Sequence, residues 1–324
     1  MEVMTDVLPS SEVARGSSPQ GPRRPRRVTR RGLFAAAGAG LVAAGASTAA
    51  VAVWRDIRAH QGDPLVPPSP TREPSPQQSY WQGDAVIEEH RFRSVHRGPT
   101  GYAVLHPPGA APTSVLPVVI ALHGWRDDHR VLLGQRFQLG RFLTEAVAAG
   151  VPPFRIVTVD GGTSYYHPHQ GEDAGAMVID ELLPRLADTG LATAPSDRIG
   201  LLGWSMGGYG ALRLGGILGP DRVAALCAVS PALWQDPHLA SRAGFSSARE
   251  YRRYSVLGRQ SDLDGIPVRI DCGTRDRFVQ ATRSYVDGFT RPIEGGFTPG
   301  AHVAWFWRRV LPDQLSYLGR TLSA

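Results

Sequence analysis

The 324-residue chain contains no lysine; all 35 of its basic residues are arginine. That absence excludes chemistry needing a lysine amine, such as a Schiff base or a phosphate-binding Walker loop. Cysteine is scarce too. Cys227 and Cys272 are the only two, and both sit inside apolar runs. Neither belongs to a CxxC pair or to a cluster with metal-ligand spacing. They read as buried small hydrophobes, with a disulfide as the alternative if the protein is exported. No metal and no cofactor is expected. Positive charge is missing from most of the chain. The formal net charge is +6, but residues 1–60 hold nine Arg against four acids, and the rest holds 26 Arg against 25 acids. A nearly neutral main body is not the footprint of a nucleic-acid-binding protein, so no nucleic-acid partner is expected.

What charge there is gathers at the amino end. Arg23-Arg24-Pro25-Arg26-Arg27 and Thr29-Arg30-Arg31-Gly32-Leu33-Phe34 precede an uncharged stretch, Leu33 to Trp54, dominated by Ala and Gly. A basic segment followed by a weakly apolar one is the pattern of an export signal. The paired arginines before Gly-Leu-Phe resemble a twin-arginine signal, which would carry the protein out folded. Ala44-Gly45-Ala46 and Ala50-Val51-Ala52 are candidate cleavage sites. The alternative is an uncleaved anchor, because 22 residues can span a bilayer; membrane contact would then run through residues 33–54. Six prolines among Ser, Gln and Thr make residues 61–80 too polar and too extended to fold alone,. The expected organisation is an export signal or anchor over 1–54, a linker over 55–80 and a catalytic domain over 81–324, placed outside the cytoplasm.

Within that domain, Ala85 to Ser94 and Gly101 to His106 read as strands. Leu116 to Leu122, Phe154 to Asp160, Arg198 to Trp204, Val223 to Val229 and Ile266 to Cys272 do the same. Several are apolar at every position, as in a strand covered on both faces. Helical spacing marks Phe137 to Ala149, Asp173 to Ala187, the segment after Ser205 and the segment after His302. Strand and helix in alternation predict a doubly wound, mostly parallel sheet of about eight strands flanked by helices. Ligands of such sheets gather at the carboxyl ends of strands. His123-Gly124-Trp125, Asp160-Gly161-Gly162, Ser205, Ser230 and Asp276 all fall there. Residues 235–263 break the alternation and read as a helical insertion or partial lid.

Gly203-Trp204-Ser205-Met206-Gly207 is a Gly-x-Ser-x-Gly element between a strand and a helix, the context in which its serine acts as a nucleophile. A serine hydroxyl needs a base to take its proton. Ten histidines are present, and His302 alone follows the Ile266–Cys272 strand. A third group must fix the imidazole tautomer. Asp276 ends a tight turn after that strand, whereas Asp271 lies within it and Asp287 on a helix. Two backbone N–H donors are needed for the developing oxyanion. The candidates are Met206, after the serine, and Trp125, after His123-Gly124. Arg126, Tyr165, Tyr166, Trp204 and Trp234 are candidates for lining a substrate pocket, although aromatic and charged loop residues are more often ordinary surface.

Gly-Trp-Ser-Met-Gly-Gly, Gly-Thr-Arg-Asp-Arg-Phe, and Pro-Gly-Ala-His ahead of Trp305-Phe306-Trp307-Arg308 together resemble the esterase D / antigen 85 group of α/β-hydrolases. The likeness extends over roughly residues 85–320. One departure is Gly300-Ala301-His302 where that family often has Gly-Gly-His, with Glu294-Gly295-Gly296 upstream. The resemblance implies an α/β-hydrolase fold and a serine carboxylesterase with Ser205 as nucleophile, Asp276 as acid and His302 as base. Its substrates would be small-molecule, lipid or sugar esters. An acyltransferase delivering the same acyl group to a sugar or lipid hydroxyl stays open. So does a non-catalytic cell-envelope binding domain on this fold.

Overall fold

The computed structural model describes residues 83–111, 113–191, 198–240 and 244–324, all within the second of two units, residues 60–324. The expected export signal and linker, residues 1–80, lie outside the described residues. No helix among the described residues is long and apolar enough to cross a membrane.

Eight strands form one sheet: β1 (Val86–Ser94), β2 (Gly98–His106), β3 (Val118–Leu122), β4 (Arg155–Val159), β7 (Ile199–Trp204), β8 (Val223–Val229), β9 (Val268–Gly273) and β10 (Glu294–Thr298). Two short strands, β5 (Pro168–His169) and β6 (Glu172–Asp173), pair separately. The order across the large sheet is β1-β2-β4-β3-β7-β8-β9-β10. β1 and β2 form an antiparallel hairpin, and β2 meets β4 antiparallel. Every later pairing is parallel. This is the mostly parallel, doubly wound α/β-hydrolase sheet that the strand–helix alternation and the family resemblance lead one to expect.

The helices are α1 (Leu139–Ala148), α2 (174–188, with a π-helical stretch Met177–Leu182), α3 (Met206–Leu218), α4 (Ala248–Tyr254), α5 (Val279–Asp287) and α6 (Ala304–Leu322). They cover the sheet on both sides. Val118, Ile120 and Leu122 of β3 join one core with Met177 and Leu186 of α2, Leu212 of α3 and Tyr285 of α5. The alternate residues Val119 and Ala121 join a second core with Leu143 of α1 and Trp307, Leu311 and Leu315 of α6. Successive strand residues point to opposite faces, so a strand between two cores must be apolar at every position. β3, β7 and β8 are fully buried along their length. Each Val or Leu taken fully out of water contributes roughly 1.5–3 kcal/mol, and this two-sided burial holds the central strands in place.

Two features add detail to the expectation. Glu294–Thr298, which contains the Gly-rich Glu294-Gly295-Gly296 that departs from the family pattern, is an edge strand parallel to β9 and completes the expected eight. Gly295 has φ +96°, and a Cβ there would sit 2.2 Å from the Ile270 carbonyl oxygen. Glycine is what lets this strand close on β9. In the expected insertion, α4 and two short 3-10 turns, Pro237–Leu239 and Gln260–Leu263, supply the helical content.

Candidate active site

β7 turns into α3 through Ser205, whose φ of 56° and ψ of −113° are strained for a non-glycine residue,. The turn is tight enough that a Cβ on Gly203 would lie 2.0 Å from the Gly207 carbonyl oxygen, and one on Gly207 equally close to that of Leu122. The surrounding backbone holds the strain in place. Ser205 N–H donates to the Val229 carbonyl of β8, and the Ser205 carbonyl accepts from Tyr209 and Ala232 N–H. Other non-glycine residues with positive φ stand beyond the ends of neighbouring strands: Arg126 after β3, Tyr165 and Tyr166 after β4, and Ser230 after β8. Strain of this kind collects at functional sites, and five of the seven such residues among those described, Ser205 included, lie along the edge formed by the carboxyl ends of the strands.

Ser205, Asp276 and His302, distant in sequence, meet at that edge. His302 Nε2 lies 2.8 Å from Ser205 Oγ, and His302 Nδ1 lies 2.9 Å from Asp276 Oδ2. A carboxylate only accepts, so Nδ1 carries the proton and Nε2 is free to accept from the serine hydroxyl. All three residues are buried. Burial pushes the Asp276 carboxyl up, but the His302 ring and the Phe278 N–H, which donates to Asp276 Oδ1 at 2.9 Å, outweigh it and hold the pKa below the usual carboxylate range. The turns that carry Asp276 and His302 are tied together by backbone bonds from Thr274 N–H to Thr298 O and from Arg275 N–H to Gly300 O. β10 thus delivers His302 to Asp276, even though its glycines hide it in the sequence.

The candidate oxyanion donors stand on two elements. Met206 is the first residue of α3, where a backbone N–H has no acceptor within the helix and the helix dipole favours negative charge. Trp125 follows a turn fixed by His123, a residue the sequence marked only by its place at a strand end. His123 is fully buried. Its Nδ1–H donates to the Gly124 carbonyl at 2.7 Å, and its Nε2 accepts the Gly161 N–H at 2.8 Å. Asp160, 3.7 Å from Nε2, is beyond hydrogen-bond range, and although its charge favours protonation, the Gly161 N–H holds His123 in the neutral form. Asp160 itself pairs with Arg97 and accepts from Gly162 N–H, a structural role. Asp127 N–H also donates to the Gly124 carbonyl, and its carboxylate pairs with Arg136 at 2.8 Å.

The remaining candidates divide. Arg126 is exposed, with its guanidinium 4.2 Å over the half-buried Trp125 ring. Trp234 is half-buried, and both its N–H and its carbonyl are held by the Tyr251 hydroxyl. It reaches the triad through Phe278, at 5.1 Å, which in turn meets His302 edge-on at 5.2 Å. Tyr165 packs among Tyr209, Trp234 and Phe245 in the core. Tyr166 has no exposed surface and lies against Gly161 and Gly210. Trp204 is 2 % exposed and stacks on His302. These three therefore support the site from within the protein. Among the described residues no cluster of His, Cys, Asp and Glu has the geometry of a metal site.

None of the curated proteins matches the chain. Among solved structures it is similar to a ferulic acid esterase (21% identity, TM-score 0.62), with 74% of this chain and 99% of that one covered. It is also similar to an S-formylglutathione hydrolase from Agrobacterium tumefaciens (18% identity, TM-score 0.61), covering 74% and 96%. A fluorophosphonate-binding serine hydrolase of Staphylococcus aureus gives 19% identity and a TM-score of 0.59, covering 73% and 99%. At these identities the likeness is one of fold. The family model described as "Putative esterase" matches residues 95–289, a span that holds the elbow serine and Asp276 but ends before His302. A match over more than half of the chain, on this fold, makes the protein a member of that esterase family.

Proposed function

We propose that this esterase is an exported serine carboxylesterase working through an acyl-enzyme on Ser205. The observation that carries the proposal is the hydrogen-bonded line from Asp276 through His302 to a serine held in a strained elbow. In the acylation half, His302 Nε2 takes the Ser205 proton as Oγ attacks the ester carbonyl carbon. The carbonyl π electrons move onto oxygen, and the Trp125 and Met206 N–H groups receive the oxyanion. The tetrahedral intermediate collapses, the C–O bond to the alcohol breaks, and His302 gives its proton to the departing oxygen. Water then repeats the sequence on the acyl-enzyme, releasing the acid and restoring Ser205. Asp276 stays ionised throughout and stabilises the imidazolium. An alcohol in place of water would turn the same acyl-enzyme to transfer.

The full chain incubated with a fluorophosphonate probe and short p-nitrophenyl esters is expected to label once and to hydrolyse. Ser205→Ala should lose the label and at least about 10⁴-fold in kcat. Labelling that persists in Ser205→Ala rejects the nucleophile. A wild type that neither labels nor hydrolyses points to a binding domain. Adding a sugar or lipid alcohol and assaying for the transferred ester separates transfer from hydrolysis.

A further inference from the structure

Trp204, between the first glycine and the serine of the elbow, is placed as no ordinary core residue needs to be. Its indole ring is nearly parallel to the His302 imidazole, with centroids 5.4 Å apart and planes 19° from each other. It is also nearly parallel to Trp307 of α6, at 6.0 Å and 8°. Phe137 packs edge-on against both tryptophans. On the oxyanion side the Trp204 ring fits against Gly124, where a Cβ would lie 2.7 Å from it. The indole can neither rotate nor slide without disturbing Gly124 or α6. It thus presents a fixed π face, out of water, to the one ring in the site that becomes positively charged during reaction.

We propose that Trp204 is a positioning residue whose π face holds the His302 ring in line with Ser205 and stabilises its imidazolium form as the serine proton is transferred. The proposal rests on the reading of His302 as the general base. An aromatic quadrupole attracts a cation within about 6 Å of the ring centroid, most strongly when the pair is desolvated. Neutral imidazole gains far less, so the interaction strengthens as the transition state forms, the condition for accelerating the chemical step. Three further groups and two arginines surround the pair. Asp276 and Ser205 bond the two nitrogens of His302. Phe278, with the Arg277 guanidinium 4.9 Å over its ring, touches the imidazole by its edge. The Arg136 guanidinium lies 5.5 Å from the Trp204 ring but is paired with Asp127. The cation that would compete for the indole face is thus already neutralised.

A plain core role and the proposed one differ in what fluorination does. Tetrafluorotryptophan placed site-specifically at position 204 keeps nearly the same shape and abolishes the negative face. It is expected to lower kcat about three- to thirty-fold with KM little changed. It should also move the acidic limb of the kcat/KM–pH profile about one pH unit lower, because the free-enzyme imidazolium loses its support. Trp204→Phe, which keeps a face, should retain most of the limb; Trp204→Leu, of similar volume to Phe, should not. A fluorinated enzyme with unchanged kcat and an unmoved acidic limb overturns the proposal, even if Trp204→Leu fails to fold. His302→Ala run alongside separates the two readings. If it hydrolyses like wild type, the general base is misassigned and this proposal falls with it. If it is inactive while fluorination changes nothing, only the role of Trp204 is wrong.

Discussion

At the scale of single residues, Asp276→Asn tests the candidate triad. The amide can donate to His302 Nδ1 and so stabilise the tautomer with its proton on Nε2, where it cannot accept from Ser205. A kcat about 10⁴-fold lower with KM nearly unchanged is expected. A loss confined to KM would place Asp276 in substrate binding instead. The three candidate residues are readable in the sequence because chemistry restricts each to few positions. Ser205 is marked by flanking glycines whose missing side chains the turn requires. His302 is marked by being the last histidine, and Asp276 by a turn at a strand end. The Trp204 stack on His302 and the bonds of His123 to Gly124 and Gly161 are not readable, because both depend on which distant groups the fold brings together.

At the scale of elements, the strands buried on both faces announced themselves by unbroken apolar runs, whereas β10 was invisible. Its Glu-Gly-Gly sequence has no apolar face to read, and its place is set by pairing with β9 and by positive φ at glycine. The insertion is pinned by a histidine in the connection between β4 and β5. His167 is fully buried and stacked on Phe245 and Tyr254 of the insertion. Its Nδ1 faces the Pro168 carbonyl at 2.9 Å, and its Nε2 the Gly244 carbonyl at 2.8 Å. Neutral imidazole has one N–H for these two acceptors, so protonation would serve both. Burial opposes it more strongly and, with the charge of Arg213 against that of Glu250, pushes the pKa down to about 4. The unfolded chain, near 6.5, then binds the proton first. Stability is expected to fall as pH drops from 6.5 to 4, by up to about 3 kcal/mol, and to lose nothing more to this group below 4. His167→Phe keeps the stacking and removes the titration. It should be less stable at neutral pH but have a flatter pH dependence in urea unfolding between 6.5 and 4. An unchanged slope would assign the acid loss to another group.

At the scale of the whole molecule, the two cysteines bear on how the protein could leave the cell. Both are buried and unpaired. Cys227 on β8 stands opposite Arg269 on β9, so Cys272 lies three residues further along the strand, roughly 10 Å away and pointing to the opposite face. A disulfide needs Cα atoms closer than about 7 Å. The described domain therefore holds its two cores without a disulfide, which is compatible with the folded export proposed from Arg30-Arg31. The full chain, isolated from cytoplasm, is expected to unfold at the same temperature with and without dithiothreitol, since losing a real bridge would cost about 2–5 kcal/mol. In cells the probe-labelled wild type should be found outside the cytoplasm, whereas the double variant Arg30→Lys, Arg31→Lys should accumulate inside as folded, labelled and active enzyme. Labelled wild type that stays in the cytoplasm would refute export, and an inside-retained variant that is unfolded would point to a pathway that threads the chain before it folds.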